Sequence, residues 1–169
     1  IMNLAESEAD AVSQIRRFLS YLPTSVWEIP PVIAPKDDAD RREESLLSVV
    51  PKDRRKIYEP RDVIHAVVDT ESFFEIAPFY GRARVTGLAR VNGIACGVMA
   101  NHPKFNGGSM DIAAGEKTLR ILELCEIFHL PLVYFAAEPG CSVGPARAKM
   151  GTVCAAARLV TTLARTHSP

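Results

Sequence analysis

One stretch, from Ile127 to Pro145, constrains the fold more than any other part of the chain. It contains an apolar run, Leu130 to Ala137, that is typical of a strand buried on both faces. The run stops at Pro139-Gly140, and a loop of small residues leads to a proline suited to a first helical turn. Such a junction leaves backbone N–H groups unpaired at the carboxyl end of the strand, where proteins of this architecture bind anions, carbonyl oxygens and cofactors. We therefore expect the function to reside at this corner.

The composition excludes several classes of protein. Of the 169 residues, 47% are hydrophobic and 24% are charged, as in globular rather than disordered or membrane proteins. The 20 basic and 20 acidic residues give a net charge of +0, so we expect no nucleic-acid or membrane partner and some tendency to associate. No apolar run approaches the roughly 20 residues that span a bilayer. The first residues lack the regions of a signal peptide, which predicts a cytoplasmic location.

The cysteines and histidines lack the spacing of metal ligands. There is no CxxC pair and no HxxxH, and the four histidines are scattered. Cys96 and Cys125 lie in apolar segments, where a free thiol behaves as a small hydrophobic side chain. We predict reduced thiols, no disulfide framework and no metal site.

The first third of the chain divides into a helix and a linker. Apolar residues recur at helical spacing from Ala5 to Leu22, and Pro23 ends the pattern. Residues 23–56 contain five prolines and a charged run, which predicts a linker or surface arm. The basic cluster from Lys52 to Lys56 is either a phosphate contact or a solvated turn, and the absence of interleaved aromatic residues favours the turn.

From Tyr58 onward the pattern predicts a compact α/β domain with a parallel or mixed sheet. The predicted elements are a short helix at 61–68, a hairpin of strands 82–92 and 94–100 turning at Asn92-Gly93, a helix at 112–129 capped by Ser109 or Asp111, a strand at 130–137 and a helix at 146–166. Ile before Met at one end, and a proline just after the last helix at the other, indicate a piece of a longer protein.

Two glycine turns follow apolar strands, at Gly107-Gly108-Ser109 and from Gly140 to Gly144. Because both come at strand-to-helix junctions, we expect them to open on the same side of the sheet. Their glycines either only satisfy turn geometry or form a binding site. Neither turn has the pattern of a P-loop or of a dinucleotide-binding loop.

Several phrases of the sequence occur together in one known family. They are Tyr58-Glu-Pro-Arg-Asp-Val-Ile64 with Val67-Val-Asp69, Gly87-Leu-Ala-Arg-Val-Asn-Gly93, Gly97-Val-Met-Ala-Asn101, Leu122-Glu-Leu-Cys125, Leu130-Pro-Leu-Val133 and Glu138-Pro-Gly-Cys-Ser-Val-Gly144. In order and in spacing they resemble the carboxyltransferase β-subunits of biotin-dependent acyl-CoA carboxylases. The phrase from Arg16 to Pro23 resembles the helix that closes the first domain of that family. The resemblance covers the whole chain except the linker.

The resemblance implies an α/β fold of the crotonase type, a spiral of ββα units, here incomplete and preceded by a helix and a linker rich in proline and charge. Residues 1–22 would close the preceding acyl-CoA-binding domain, 23–56 would be a linker or surface arm, and 57–169 would be the first part of the C-terminal carboxyltransferase domain. It also implies a homo-oligomer, dimer-based and most simply hexameric, whose active site is shared between two subunits.

The implied activity moves a carboxyl group from N-carboxybiotin to the α-carbon of an acyl-CoA. The implied partners are the acyl-CoA and the biotin carboxyl carrier or biotin carboxylase component. Backbone N–H donors stabilise the oxyanions; here Gly140 and Cys141 would present the first biotin-side donor, and Gly144 would set the helix behind it. Gly107 and Gly108 would shape the neighbouring rim. The second donor pair lies beyond this chain in the family, so we expect the isolated chain to be inactive.

Two alternatives to carboxyl transfer stay open. The same fold and site serve biotin-dependent decarboxylase subunits, and a non-catalytic scaffold in a carboxylase complex is a further possibility. Cys141 stands where the family often has phenylalanine, and a thiol at a helix start can act as a nucleophile. Glu138, whose charge would oppose thiolate formation, is expected to be a solvated loop acid or to contact the helix start or a partner.

Overall fold

The computed structural model describes residues 3–38, 40–53 and 56–167. The helices are α1 (Glu8–Leu19), α2 (Pro60–Val67), α3 (Ile112–Ile127), α4 (Pro145–Lys149) and α5 (Thr152–Arg165), with 3-10 turns at Glu44–Leu47 and Asn106–Gly108. The strands are β1 (Phe74–Glu75), β2 (Arg84–Val91), β3 (Ile94–Asn101) and β4 (Leu132–Phe135). No helix among these residues has the length and apolar content that crossing a bilayer requires.

The sheet is built around the hairpin of β2 and β3. Asn92 (φ 52°) and Gly93 (φ 78°) both lie in the left-handed region that this two-residue turn requires. The strand order is β1-β2-β3-β4; the first three strands are antiparallel and β4 joins β3 in parallel through the α3 crossover. The predicted hairpin and mixed sheet are therefore confirmed, and the carboxyl ends of β3 and β4 lie side by side.

Apolar side chains cover the sheet on both faces. On one face, Ile64 of α2 packs with side chains that include Val68, Phe73, Val85, Ala89, Cys96, Val98 and Ala100. On the other face, Ile121 and Cys125 of α3 pack with Leu88, and with Tyr21 and Leu22 after α1. Each fully buried aliphatic side chain stabilises the fold by roughly 1.5–3 kcal/mol. The carboxyl ends of β3 and β4 are therefore held by a sheet that is packed on both faces.

Two predicted elements differ from the structure. The predicted strand 130–137 is shortened to β4, and it is not buried on both faces: it forms the edge of the described sheet, and Tyr134 is 36% exposed. The predicted helix 146–166 is divided into α4 and α5 because Gly151, at φ 90°, takes a left-handed conformation that interrupts the helical hydrogen bonds. The predicted cap is confirmed, since the Asp111 side chain accepts from the Ala114 N–H at 2.9 Å.

Specific hydrogen bonds dock α1 on the sheet. Arg17 Nη2 donates to the Phe73 carbonyl at 2.9 Å, and the buried Arg90 donates from Nη2 to the Ser20 carbonyl at 2.6 Å. The helix begins after the Ser7 cap, three residues later than the predicted start at Ala5. α1 is therefore fixed to the same core as the strands.

The segment after α1 runs over the surface and is held to the domain by several hydrogen bonds. The Ile33 N–H donates to the Gly93 carbonyl at 3.1 Å, so the arm crosses the hairpin turn. Further along, the Asp37 carboxylate accepts from the Thr70 N–H at 2.7 Å, and Arg41 donates to carbonyl groups at the end of α2. The basic cluster at 52–56 lies partly outside the described residues, because Arg54 and Arg55 are not described.

Candidate functional site

The two glycine turns form one structure. Met110 and Cys141 pair as a parallel β-bridge in which the Met110 N–H donates to the Gly140 carbonyl at 3.0 Å. The Met110 carbonyl in turn accepts from the Ser142 N–H at 2.9 Å. The loop after β3 and the loop after β4 are thus held edge to edge, and the prediction that they open on the same side of the sheet is confirmed.

This bridge determines the direction of the Cys141 N–H. In an extended strand, successive residues point their backbone N–H and C=O groups to opposite edges. Because the carbonyl before Cys141 and the N–H after it both face Met110, the N–H of Cys141 itself points away from that loop. Among the described residues it has no acceptor within hydrogen-bond distance. It is therefore a free donor at the carboxyl end of β4.

The space at Gly140 is open. Its φ of 114° lies in the region that favours glycine, and a Cβ built on it would meet no described atom within 4 Å. Gly144 (φ 122°) and Gly107 (φ 62°) are equally uncrowded, whereas Gly108 is buried between Asn101 and Pro139. The chain thus leaves room for a ligand beside the Cys141 N–H.

Asn101, at the end of β3, ties both loops from below. Its Nδ2 donates to the Gly108 carbonyl at 3.0 Å, and its Oδ1 accepts from the Ala137 N–H at 3.1 Å. The side chain is fully buried at 1% exposure. One side-chain amide is therefore hydrogen-bonded to both the loop after β3 and the loop after β4, and it fixes their positions relative to the end of β3.

A hydrogen-bonded network around the buried Arg84 holds the loop after β4. Arg84 lies opposite Asn101 in the β2–β3 ladder, and its guanidinium is 2% exposed. It donates to Glu138 Oε2 at 2.9 Å and to the Tyr134 hydroxyl at 2.9 Å. The Tyr134 hydroxyl lies 2.7 Å from Glu138 Oε2 and 3.0 Å from Asn101 Oδ1. Burial, followed by the hydrogen bond to Glu138, raises the pKa of Tyr134.

The structure gives Glu138, expected to be a solvated loop acid or to contact the helix start or a partner, an ion pair with Arg84, and the Glu138 side chain is 25% exposed. Sequence reasoning missed this pair because 54 residues separate its members. The sequence signal for this pair was an arginine in a strand that the structure shows to be buried along most of its length, because a buried arginine requires an acidic partner.

Cys141 has none of the partners that a nucleophilic thiol requires. Its side chain is exposed, and among the described residues no hydrogen bond or ion pair involves its sulfur. Cys154 is also exposed, whereas burial raises the pKa of Cys96 to about 11 and that of Cys125 to about 12. None of these four cysteines forms a disulfide in the structure.

Two further titratable groups lie beneath the loops. Lys117 of α3 is 3% exposed and donates from Nζ to the carbonyls of Ala77 at 2.8 Å and Arg84 at 2.9 Å. Burial lowers the pKa of Lys117 to about 8. Burial also lowers the pKa of His102, whose Nε2 lies 3.6 Å from the Glu59 carboxylate. Sequence reasoning assigned no role to Lys117.

A groove of about 460 Å³ lies at the opposite end of β2 from these loops and contains polar side chains of the surface arm such as Asp37 and Arg41. Within the described ranges, no three His, Cys, Asp or Glu side chains lie close enough to hold a metal ion together.

The sequence matches the carboxyl transferase domain over residues 2–169. It is 39% identical over 136 residues to methylmalonyl-CoA decarboxylase subunit alpha of Veillonella parvula, covering 80% of this chain and 27% of that protein. It is 36% identical over 164 residues to the mitochondrial propionyl-CoA carboxylase beta chain of Homo sapiens, covering 97% of this chain and 30% of that protein.

Solved structures give the same result. The hexameric transcarboxylase 12S core, solved with methylmalonyl-coenzyme A and methylmalonic acid bound, superposes with a TM-score of 0.94 at 31% identity. This match covers all of this chain and 32% of the transcarboxylase chain. A single-chain, multi-domain long-chain acyl-CoA carboxylase superposes with a TM-score of 0.86 at 33% identity, and that match covers all of this chain and 16% of the carboxylase chain. The predicted crotonase-like fold is confirmed, and this chain spans less than a third of each of these four proteins.

Proposed function

The chain belongs to the carboxyl transferase domain family, and on this premise we propose that it forms the biotin-facing part of a carboxyltransferase site. The reaction moves a carboxyl group from N-carboxybiotin to the α-carbon of an acyl-CoA. Residues 57–169 are proposed as the first part of the carboxyltransferase domain, 23–56 as a linker, and 1–22 as the closing helix of an acyl-CoA-binding domain. The setting proposed is the cytoplasm.

One observation carries the proposal: a free Cys141 N–H stands beside open space at a glycine with φ 114°. Anions and developing oxyanions bind such donors at the carboxyl ends of strands. The donor belongs to the main chain, so a cysteine at this position is compatible with the role.

Carboxybiotin on its carrier would supply the carboxyl group, and its ureido group, once that carboxyl group has left, could accept the α-proton that the acyl-CoA exchanges for the carboxyl group. This chain would orient the ureido group and stabilise its negative charge. The Cys141 N–H would donate to the ureido oxygen, and Gly140 would permit close approach. Gly144 sets the start of α4 behind the loop, and Gly107 and Gly108 form the adjoining rim. A preorganised donor of this kind is worth roughly 3–4 kcal/mol of transition-state stabilisation.

We further propose that the whole protein is an oligomer built from dimers, most simply a hexamer, in which two subunits share the site. The hexameric assembly of the transcarboxylase 12S core supports this proposal. The partners proposed are an acyl-CoA and a biotin carboxyl carrier or biotin carboxylase component. A second candidate function is decarboxylation of an acyl-CoA, which the 39% identity to a methylmalonyl-CoA decarboxylase subunit favours.

The test compares two neighbouring substitutions in the full-length enzyme. If the donor is the backbone, Cys141→Ala and Cys141→Ser retain most of the carboxyl transfer, because neither change removes the N–H. Gly140→Val reduces kcat by at least a hundredfold, because φ 114° is unfavourable for a β-branched residue and the added methyl groups occupy the ligand space. Turnover of carboxybiotin on its carrier is measured in both directions, with thermal melts to check folding.

A nucleophilic cysteine predicts the reverse order. Loss of activity in Cys141→Ala with an unchanged melt, together with a covalent adduct on the wild type, would overturn the backbone-donor proposal. A full-length protein that assembles with its carrier but transfers no carboxyl group in either direction would favour the scaffold alternative.

A further inference from the structure

We propose that Glu138 is a positioning residue, held by the buried Arg84 and by Tyr134, that fixes the loop carrying the Cys141 N–H donor. The inference rests on the carboxyl transfer proposed above and assigns that reaction a side-chain requirement within this chain. Glu138 is not placed against the reacting atoms; it acts through the loop.

The first support is that Arg84 has a fixed place and a required partner. Its guanidinium is almost fully buried, and a buried charge without a counter-ion is strongly unfavourable. Among the described residues, the carboxylate paired with it is that of Glu138. Because Arg84 is anchored in the central β2–β3 ladder, the carboxylate is anchored with it.

The second support is that several hydrogen bonds from different parts of the fold reach one short segment, residues 137–142. Asn101 holds the Ala137 N–H, and Arg84 and Tyr134 hold the next side chain, Glu138. The bridge to Met110 then holds the residues on either side of Cys141. Since Gly140 has wide conformational freedom, the loop needs these ties to keep a single donor direction.

The third support is electrostatic. Glu138 lies three residues before the donor, and an unpaired carboxylate there would oppose negative charge developing at the site. Pairing with Arg84 compensates this charge at 2.9 Å. The network therefore both orders the loop and removes a local repulsion.

The experiment uses the full-length enzyme with Glu138→Gln and Tyr134→Phe. Glu116→Gln is the matched control, because Glu116 of α3 accepts a hydrogen bond from the Tyr80 hydroxyl in a similar Tyr–Glu pair. Among the described residues, no hydrogen bond joins the Glu116 side chain to either loop. For Glu138→Gln we expect kcat to fall by roughly a hundredfold, as misplacement of a catalytic group does, with KM for acyl-CoA changed less than about twofold. Tyr134→Phe shows a smaller loss in the same direction.

A second readout separates positioning from general stability. Hydrogen–deuterium exchange followed by mass spectrometry compares the peptide spanning 136–144 in each variant. We expect faster exchange of this peptide in Glu138→Gln and unchanged exchange in Glu116→Gln. Because Glu138→Gln leaves the buried Arg84 without its counter-ion, its melting temperature should also fall. Exchange is therefore measured well below both melting temperatures, and the peptides of β2 and β3 should exchange as in the wild type.

The outcomes distinguish the two proposals. An active wild type whose Glu138→Gln variant keeps kcat within about twofold overturns the positioning role and leaves carboxyl transfer intact. Equal losses of kcat in Glu138→Gln and Glu116→Gln overturn it as well, because the effect is then not specific to the loop. A wild type with no carboxyl transfer in either direction refutes the proposed function and this inference with it.

Discussion

The buried amine of Lys117 makes the stability of this fold depend on alkaline pH. Burial lowers its pKa to about 8, from an ordinary value of 10.5, because the core solvates the charged form poorly. Between these two values the unfolded chain binds a proton that the folded chain has released. The contribution of Lys117 to the free energy of unfolding therefore rises as the pH rises from about 8 towards 10.5. The buried thiols of Cys96 and Cys125, whose pKa values are raised, contribute in the opposite sense, so the effect of Lys117 is read as a difference from a variant that lacks the amine.

The magnitude follows from the difference between the two pKa values. At about 1.4 kcal/mol for each pH unit, the charged amine costs the folded state about 3 kcal/mol below pH 8. Raising the pH from 7 to 10 recovers about 2.5 kcal/mol of this. In the folded state the amine donates hydrogen bonds to the carbonyls of Ala77 and Arg84, and the lowered pKa refers to this hydrogen-bonded amine.

The assay is chemical denaturation of the 169-residue chain at pH 7, 8, 9 and 10, followed by circular dichroism. Lys117→Met removes the titrating group, so wild type should gain about 2.5 kcal/mol relative to this variant across the range. Thr118→Val, a change at the buried neighbouring side chain without a titrating group, should track the wild type. An NMR titration of the Lys117 side chain gives the pKa directly.

A constant difference between wild type and Lys117→Met from pH 7 to 10 would refute the argument, as would an NMR titration midpoint near 10.5. Either result would mean that water reaches the amine or that the Lys117 side chain is rearranged in solution, and that the amine is not buried beside the carbonyls of Ala77 and Arg84.

Two further predictions concern packing and capping. Gly97→Ala should destabilise the fold by roughly 1–3 kcal/mol, because the added methyl group collides with Cys125 Sγ; adding Cys125→Ala should restore part of the loss in denaturation experiments, and strictly additive effects would contradict this contact. Asp111→Ala should cost about 1 kcal/mol by removing the side-chain cap of α3, with Asp111→Asn close to wild type; equal losses in the two variants would exclude the cap as the cause.

Local signals predicted the elements that local chemistry determines. Asn92-Gly93 fixed the hairpin because both residues tolerate positive φ, and Asp111 marked the start of α3 because its side chain can accept from a first-turn N–H. Gly151 was the available signal for the break between α4 and α5, but a glycine inside a helical pattern does not by itself specify a left-handed residue.

Non-local contacts could not be predicted in this way. The Arg84–Glu138 pair and the Lys117 bonds to Ala77 and Arg84 join residues far apart in sequence, and no periodicity encodes them. The pattern of apolar strands and glycines located the two loops, and the resemblance implied their role, whereas the bonds of the Asn101 amide to both loops are known only from the structure. The roles of Gly140 and Cys141 stay predictions until the substitutions are assayed.

The side chain of Cys141 projects into solvent from a loop whose main chain is engaged, which makes this position a chemical handle. Burial shields the thiols of Cys96 and Cys125 and raises the pKa of each, so maleimide reagents should discriminate strongly against both. Replacing the other exposed cysteine, Cys154, by serine would leave Cys141 as the single exposed thiol among the cysteines of this chain. A fluorophore attached there would report the arrival of a docking carrier directly, in real time, without requiring turnover.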